Sequence, residues 1–116
     1  MSQVTIYHNP RCSKSRQTLE LLKEQGVEPV VREYLKDVPS ADELTQILAS
    51  LNIGPRQLLR KGEQEYKDND LNNPDLTDDQ IIALMIAHPK LIERPIVIKG
   101  NEARIGRPPE SVLEIM

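Results

Sequence analysis

The chain has 116 residues, 38% of them hydrophobic, with a mean hydropathy of −0.49, a formal net charge of −3 and a pI of about 5.4. That length suits one domain, and the lack of a basic surplus argues against a duplex-binding protein. Aromatics are scarce (three Tyr, no Phe, no Trp), so stacking platforms for single-stranded nucleic acid are not expected, and the core must be built from Leu, Ile and Val. The start, Met1-Ser2-Gln3-Val4-Thr5-Ile6-Tyr7, has no cationic and apolar stretch of a signal peptide. No run approaches the roughly 20 apolar residues of a membrane span. One cysteine, Cys12, excludes an internal disulfide and suits a reducing compartment. A cytoplasmic protein without nucleic-acid or membrane partners is expected.

Val4 and Ile6 predict a first strand ending near Tyr7. A polar loop follows, His8-Asn9-Pro10-Arg11-Cys12-Ser13-Lys14-Ser15-Arg16, and opens a helix that Gly26 stops. Val30, Val31 and Tyr34 suggest a second strand, and strand–helix–strand at this spacing implies a parallel pair. The middle is helical. Ser40 with Glu43 and Thr77 with Gln80 are capping boxes. Leu44, Ile47, Leu48 and Leu51 recur at helical spacing after the first, and Ile81, Leu84, Met85 and His88 share a face after the second. Pro55 suits the first turn of a short helix ending by Gly62, and another short helix is possible between Glu63 and Asn73. Ile96-Val97-Ile98 predicts a buried strand. Gly100-Asn101 turns the chain, Ala103 and Ile105 return as its antiparallel partner, and Pro108-Pro109 lead into a last helix with Val112, Leu113 and Ile115 inward. The order is β-α-β, a helical block, then β-β-α. It predicts one α/β domain over residues 1–116: a mixed four-stranded sheet of thioredoxin-like type, with residues 38–90 inserted as helices.

Cys12 falls where the first strand gives way to the first helix. A helix N-terminus offers unpaired N–H groups and the positive end of the dipole. Both favour the thiolate, which is the nucleophile, and the same N–H groups can hold an oxyanion. Its neighbours Arg11, Ser13, Lys14, Ser15 and Arg16 are polar or cationic, unlike the surroundings of a cysteine that serves as a small core hydrophobe. His8 could face the sulfur across the loop and lower its pKa as an imidazolium, or face water at the strand end. Arg16 lies one turn further on and is as well explained by solvation. Other chemistries fail on spacing. A Cys-x5-Arg phosphatase loop needs Arg where Thr18 stands, and a dithiol Cys-x-x-Cys needs Cys where Ser15 stands. A zinc site needs more ligands than one Cys and two His supply. With Ser15 in place of a second thiol, any oxidised Cys12 must be resolved by an external thiol.

Arg60, Arg94, Arg104 and Arg107 each lie next to an element boundary. Alone they are ordinary surface charges, although guanidinium forks bind tetrahedral oxyanions well. The combination His8-Asn9-Pro10-x-Cys12-x-x-Ser15-Arg16, Arg94-Pro95-Ile96-Val97 and Arg104-x-x-Arg107-Pro108 resembles the glutaredoxin-dependent arsenate reductases, over almost the whole chain. The resemblance implies a thioredoxin-like fold with a helical insertion and reduction of arsenate to arsenite, with no bound cofactor. Glutathione would be the co-substrate and glutaredoxin the partner. It implies Cys12 as nucleophile, Arg60, Arg94 and Arg107 as oxyanion ligands, and His8, Ser15 and Arg16 as support. Pro95 matches the cis-proline that faces the cysteine in such folds. The well-studied reductases carry Gly-Thr after the cysteine, where this chain has Ser13-Lys14, and Lys14 adds a cation. The alternatives are a monothiol glutathione-dependent oxidoreductase and an Spx-like regulator that binds RNA polymerase.

Overall fold

β1 (Val4–Tyr7) opens the chain as a largely buried strand whose successive side chains turn to opposite faces. The computed structural model describes residues 3–116. Met1 and Ser2, which begin the N-terminal stretch read above for a signal peptide, lie outside the described residues. β1 pairs in parallel with β2 (Val30–Arg32) and antiparallel with β3 (Ile96–Lys99), which pairs antiparallel with β4 (Glu102–Ile105). The sheet order is β2-β1-β3-β4. This mixed four-stranded sheet is the thioredoxin-like arrangement expected.

α1 (Ser13–Glu24) joins β1 to β2. It ends where Gly26 takes φ +77°, a conformation that costs glycine nothing sterically. Leu22 of α1 packs with Val4, Ile6 and Val97 of the sheet and with Val112 and Ile115 of the C-terminal 3-10 helix (Pro109–Ile115). Each such side chain removed from water is worth about 1.5–3 kcal/mol. On the other sheet face Tyr7 stacks on Tyr34 at 6.4 Å, and the Arg32 guanidinium lies 5.2 Å over the Tyr7 ring.

The last helix departs from expectation. Val112 and Ile115 are buried, but Leu113 is exposed. A 3-10 helix repeats every three residues, so Pro109, Val112 and Ile115 share one face and Leu113 falls off it. α-Helical spacing would turn all three apolar residues inward.

The described chain divides into two compact units: the chain up to Asp37 together with Arg94–Met116, and Val38–Glu93. The second unit contains α2 (Ala41–Leu51), α3 (Pro55–Leu58), α4 (Gln64–Asp68) and α5 (Asp78–Ala87). Both capping boxes form: Ser40 Oγ accepts from the Glu43 N–H, and Thr77 Oγ1 from the Gln80 N–H. α5 buries Ile81, Ile82 and Met85, while Leu84 is only half-buried and His88 forms the C-cap. Ile82 was absent from the predicted face because a broad buried stripe admits more positions than a strict repeat suggests. Arg56 ties the 71–76 loop down by donating to the carbonyls of Leu71, Asn73 and Leu76.

Candidate active site

Cys12 is the N-cap of α1, in extended conformation (φ −92°, ψ 123°). α2 and α5 begin with an oxygen cap and two acidic residues each, whereas α1 has no side-chain cap bond and no acid in its first turn. The positive end of α1 is therefore left to the sulfur and to any anion beside it.

Asn9 shapes the loop that delivers the cysteine. Its carbonyl accepts the Cys12 N–H at 3.0 Å, and its Oδ1 accepts the Arg11 N–H at 3.0 Å. Its own N–H donates to Ser15 Oγ at 3.0 Å. Arg16 braces the same loop from outside, donating from Nη1 to the Pro10 carbonyl at 3.1 Å. The sequence placed Asn9 in the motif without a role. Its signal was the short amide side chain two residues before Arg11, the spacing of an Asx turn.

Two arginines reach the sulfur. Arg107 Nη2 donates to Cys12 Sγ at 3.6 Å, and Arg107 Nε donates to the Arg94 carbonyl at 2.8 Å. The Arg94 guanidinium is close enough to lower the thiol pKa through hydrogen bonding and charge. Burial pushes the thiol pKa up, but the Ser15 N–H, the Arg94 guanidinium and the Lys14 N–H together outweigh it and hold the thiol below its ordinary value. Both Arg94–Pro95 and Arg107–Pro108 are cis peptides. The first was implied by the family resemblance, and the second was not foreseen.

His8 differs from the imidazolium considered above. It is buried, and its Nδ1 lies 2.6 Å from Ser15 Oγ. Ser15 Oγ also accepts from Asn9, and its second lone pair leaves the bond to Nδ1 open in either direction, set by the ring tautomer. Burial lowers the His8 pKa, Arg16 and Lys23 lower it further, and Glu33 opposes them. The ring is thus neutral near pH 7 and braces Ser15, the residue whose N–H faces the sulfur. The cations near the thiol are guanidinium groups, not imidazolium.

Arg60 lies in the helical unit. There Nη1 pairs with Glu93 at 2.8 Å, Nε with Glu63 at 3.4 Å, and its N–H donates to the Leu91 carbonyl. Arg104 pairs with Glu114 at 2.9 Å. Among the described residues, no three or more His, Cys, Asp or Glu side chains gather where they could hold a metal ion, and no helix is long and apolar enough to cross a membrane.

Comparison with known proteins agrees with the fold. The chain is 52% identical over 115 residues to the uncharacterized protein YfgD of Escherichia coli (strain K12), covering 98% of this chain and 97% of the relative. It is 48% identical over 114 residues to an arsenate reductase of Haemophilus influenzae, covering 97% and 98%. A solved arsenate reductase from Vibrio cholerae superposes with a TM-score of 0.96 at 50% identity, over 99% of this chain and 98% of that one. The ArsC family model matches residues 7–115, from the end of β1 to the last 3-10 helix and so across the Cys12 loop and both sulfur-facing arginines; the chain belongs to the ArsC family.

Proposed function

We propose that the protein is an arsenate reductase in which Cys12 is the nucleophile and Arg94 and Arg107 hold the oxyanion. The observation that carries this reading is a sulfur at a helix N-terminus with no acid in its first turn, with Arg107 donating to it and Arg94 lowering its pKa. Arsenate, a mixture of mono- and dianion at neutral pH, suits that charge, and the names of close relatives support the substrate.

The Cys12 thiolate attacks arsenic, an As–O bond breaks, and the oxygen leaves as water after taking two protons. Glutathione then enters as a thiol. Its sulfur attacks Cys12 Sγ and its proton passes to an arsenic oxygen; the new S–S bond forms as the Cys12 S–As bond breaks, and that electron pair stays on arsenic, which leaves as arsenite. A glutaredoxin thiolate attacks the glutathione sulfur of that mixed disulfide and releases the Cys12 thiolate. The external thiols are needed because Ser15 stands where a dithiol enzyme has its second cysteine, and its hydroxyl is engaged by His8 and Asn9. The arginines and loop N–H groups stabilise charge as it builds on the arsenic oxygens. Family resemblance assigns Arg60 to the anion as well, with Ser15, His8, Arg16 and cis-Pro95 in support.

The test is a coupled assay with arsenate, glutathione and glutaredoxin, run beside a glutathione mixed-disulfide substrate. Arsenate-dependent glutathione oxidation with arsenite formed is the expected result. Turnover of the mixed disulfide alone, with none on arsenate, would assign the protein to the monothiol oxidoreductases instead.

A further inference from the structure

Gly106 follows β4 at a point where no side chain fits. A Cβ there would stand 2.5 Å from Thr18 Oγ1, 2.8 Å from Pro95 Cγ and 3.1 Å from Thr18 Cγ2. Thr18 is fully buried in α1, and its Oγ1 donates to the Lys14 carbonyl at 2.8 Å. Rotating Thr18 away would break that bond in a buried place, so the clash cannot be relieved cheaply. The Gly106 N–H also donates to the Pro95 carbonyl at 2.9 Å. Three parts of the site meet at this contact: the helix capped by Cys12, the residue after Arg94 and the residue before Arg107.

We propose that Thr18 and Gly106 are positioning residues, whose direct contact sets the spacing between the Cys12 sulfur and the Arg94–Arg107 pair. The proposal rests on reading these groups as the oxyanion site. Neither residue touches the anion. They act because α1 can approach the end of β4 only as far as a bare α-carbon allows. An added methyl must push α1 and the arginine-bearing segment apart, and both arginines then retreat from the sulfur together.

The experiment compares Gly106→Ala, Thr18→Ala and the double variant by arsenate titration calorimetry and by the pH dependence of Cys12 alkylation. Gly106→Ala should weaken arsenate binding on the order of tenfold or more, since a shift of about an ångström in a reacting site carries such a cost. Its thiol should titrate at higher pH than in wild type. Thr18→Ala alone removes the spacer without adding a clash, so both properties should change from wild type, but by less than in Gly106→Ala. The double variant should recover part of both properties, because the new methyl takes space the Thr18 side chain leaves but still meets Pro95 Cγ. A folded Gly106→Ala protein with wild-type affinity and thiol titration overturns the proposal, and so does a folded double variant without recovery. If Gly106→Ala does not fold, Thr18→Ala decides, and wild-type behaviour there overturns it. The thiol titration needs no substrate, so its outcome is separate from any failure of the wild-type protein to reduce arsenate.

Discussion

Arg107 touches Cys12 with one nitrogen and the Arg94 backbone with another: Nη2 donates to the sulfur at 3.6 Å and Nε to the carbonyl at 2.8 Å. The second bond aims the first. Lysine at this position would keep the charge but could not make both contacts from one rigid plane. Arg107→Lys should therefore weaken arsenate binding about tenfold, and Arg107→Ala more, as calorimetry would read. Wild-type affinity in the lysine variant would show that charge alone suffices.

The depressed Cys12 pKa sets a pH dependence with a definite sign. Between the folded value and the ordinary thiol value, the unfolded chain binds more protons than the native one, so this group's contribution to stability rises with pH across that window. It is fully present above the ordinary thiol value and lost as pH falls through the folded one. Chemical unfolding of wild type and Cys12→Ser at several pH values should show a difference that grows in favour of wild type as pH rises. Arg94→Ala should shift the alkylation profile of Cys12 to higher pH, because the guanidinium is one of the groups holding the thiolate. A profile identical to wild type would remove Arg94 from that role.

Ser15 offers a separation of stability from thiol acidity. Its hydroxyl satisfies the buried Asn9 N–H and His8 Nδ1, whereas the thiolate is aided by its backbone N–H. Ser15→Ala should cost about 1–3 kcal/mol in urea unfolding, the usual penalty for stranding buried polar groups. The thiol titration should move far less, since the backbone donor remains. A variant as stable as wild type would mean that the buried pair finds other partners.

What could be read from the sequence was local. The Ser40–Glu43 and Thr77–Gln80 boxes, the Gly26 stop and the Gly100-Asn101 hairpin depend on residues a few positions apart, and they formed as expected. Cys12 at the strand-to-helix junction followed from the same kind of reasoning. Readings stayed open or failed where a side chain's surroundings depend on how the chain folds back on itself. His8 could be placed on the loop, but its turn toward Ser15 depends on how the loop folds over α1. Leu113 was misplaced because the choice between 3-10 and α spacing was made by packing on the sheet. The abutment of Gly106 on Thr18 has no local signal at all, since a glycine beside an arginine reads as a turn. Arginine was common enough that only the combined motifs singled out Arg94 and Arg107.

The central claim is tested most directly by quantifying arsenite formed from arsenate by wild type and by Cys12→Ser, with glutathione and glutaredoxin supplied to both and folding confirmed by circular dichroism. Wild type should form arsenite in proportion to enzyme, and folded Cys12→Ser should form none above the uncatalysed background. Arsenite production by the serine variant at a rate comparable to wild type would contradict the account, because no other residue of the chain can supply a thiolate.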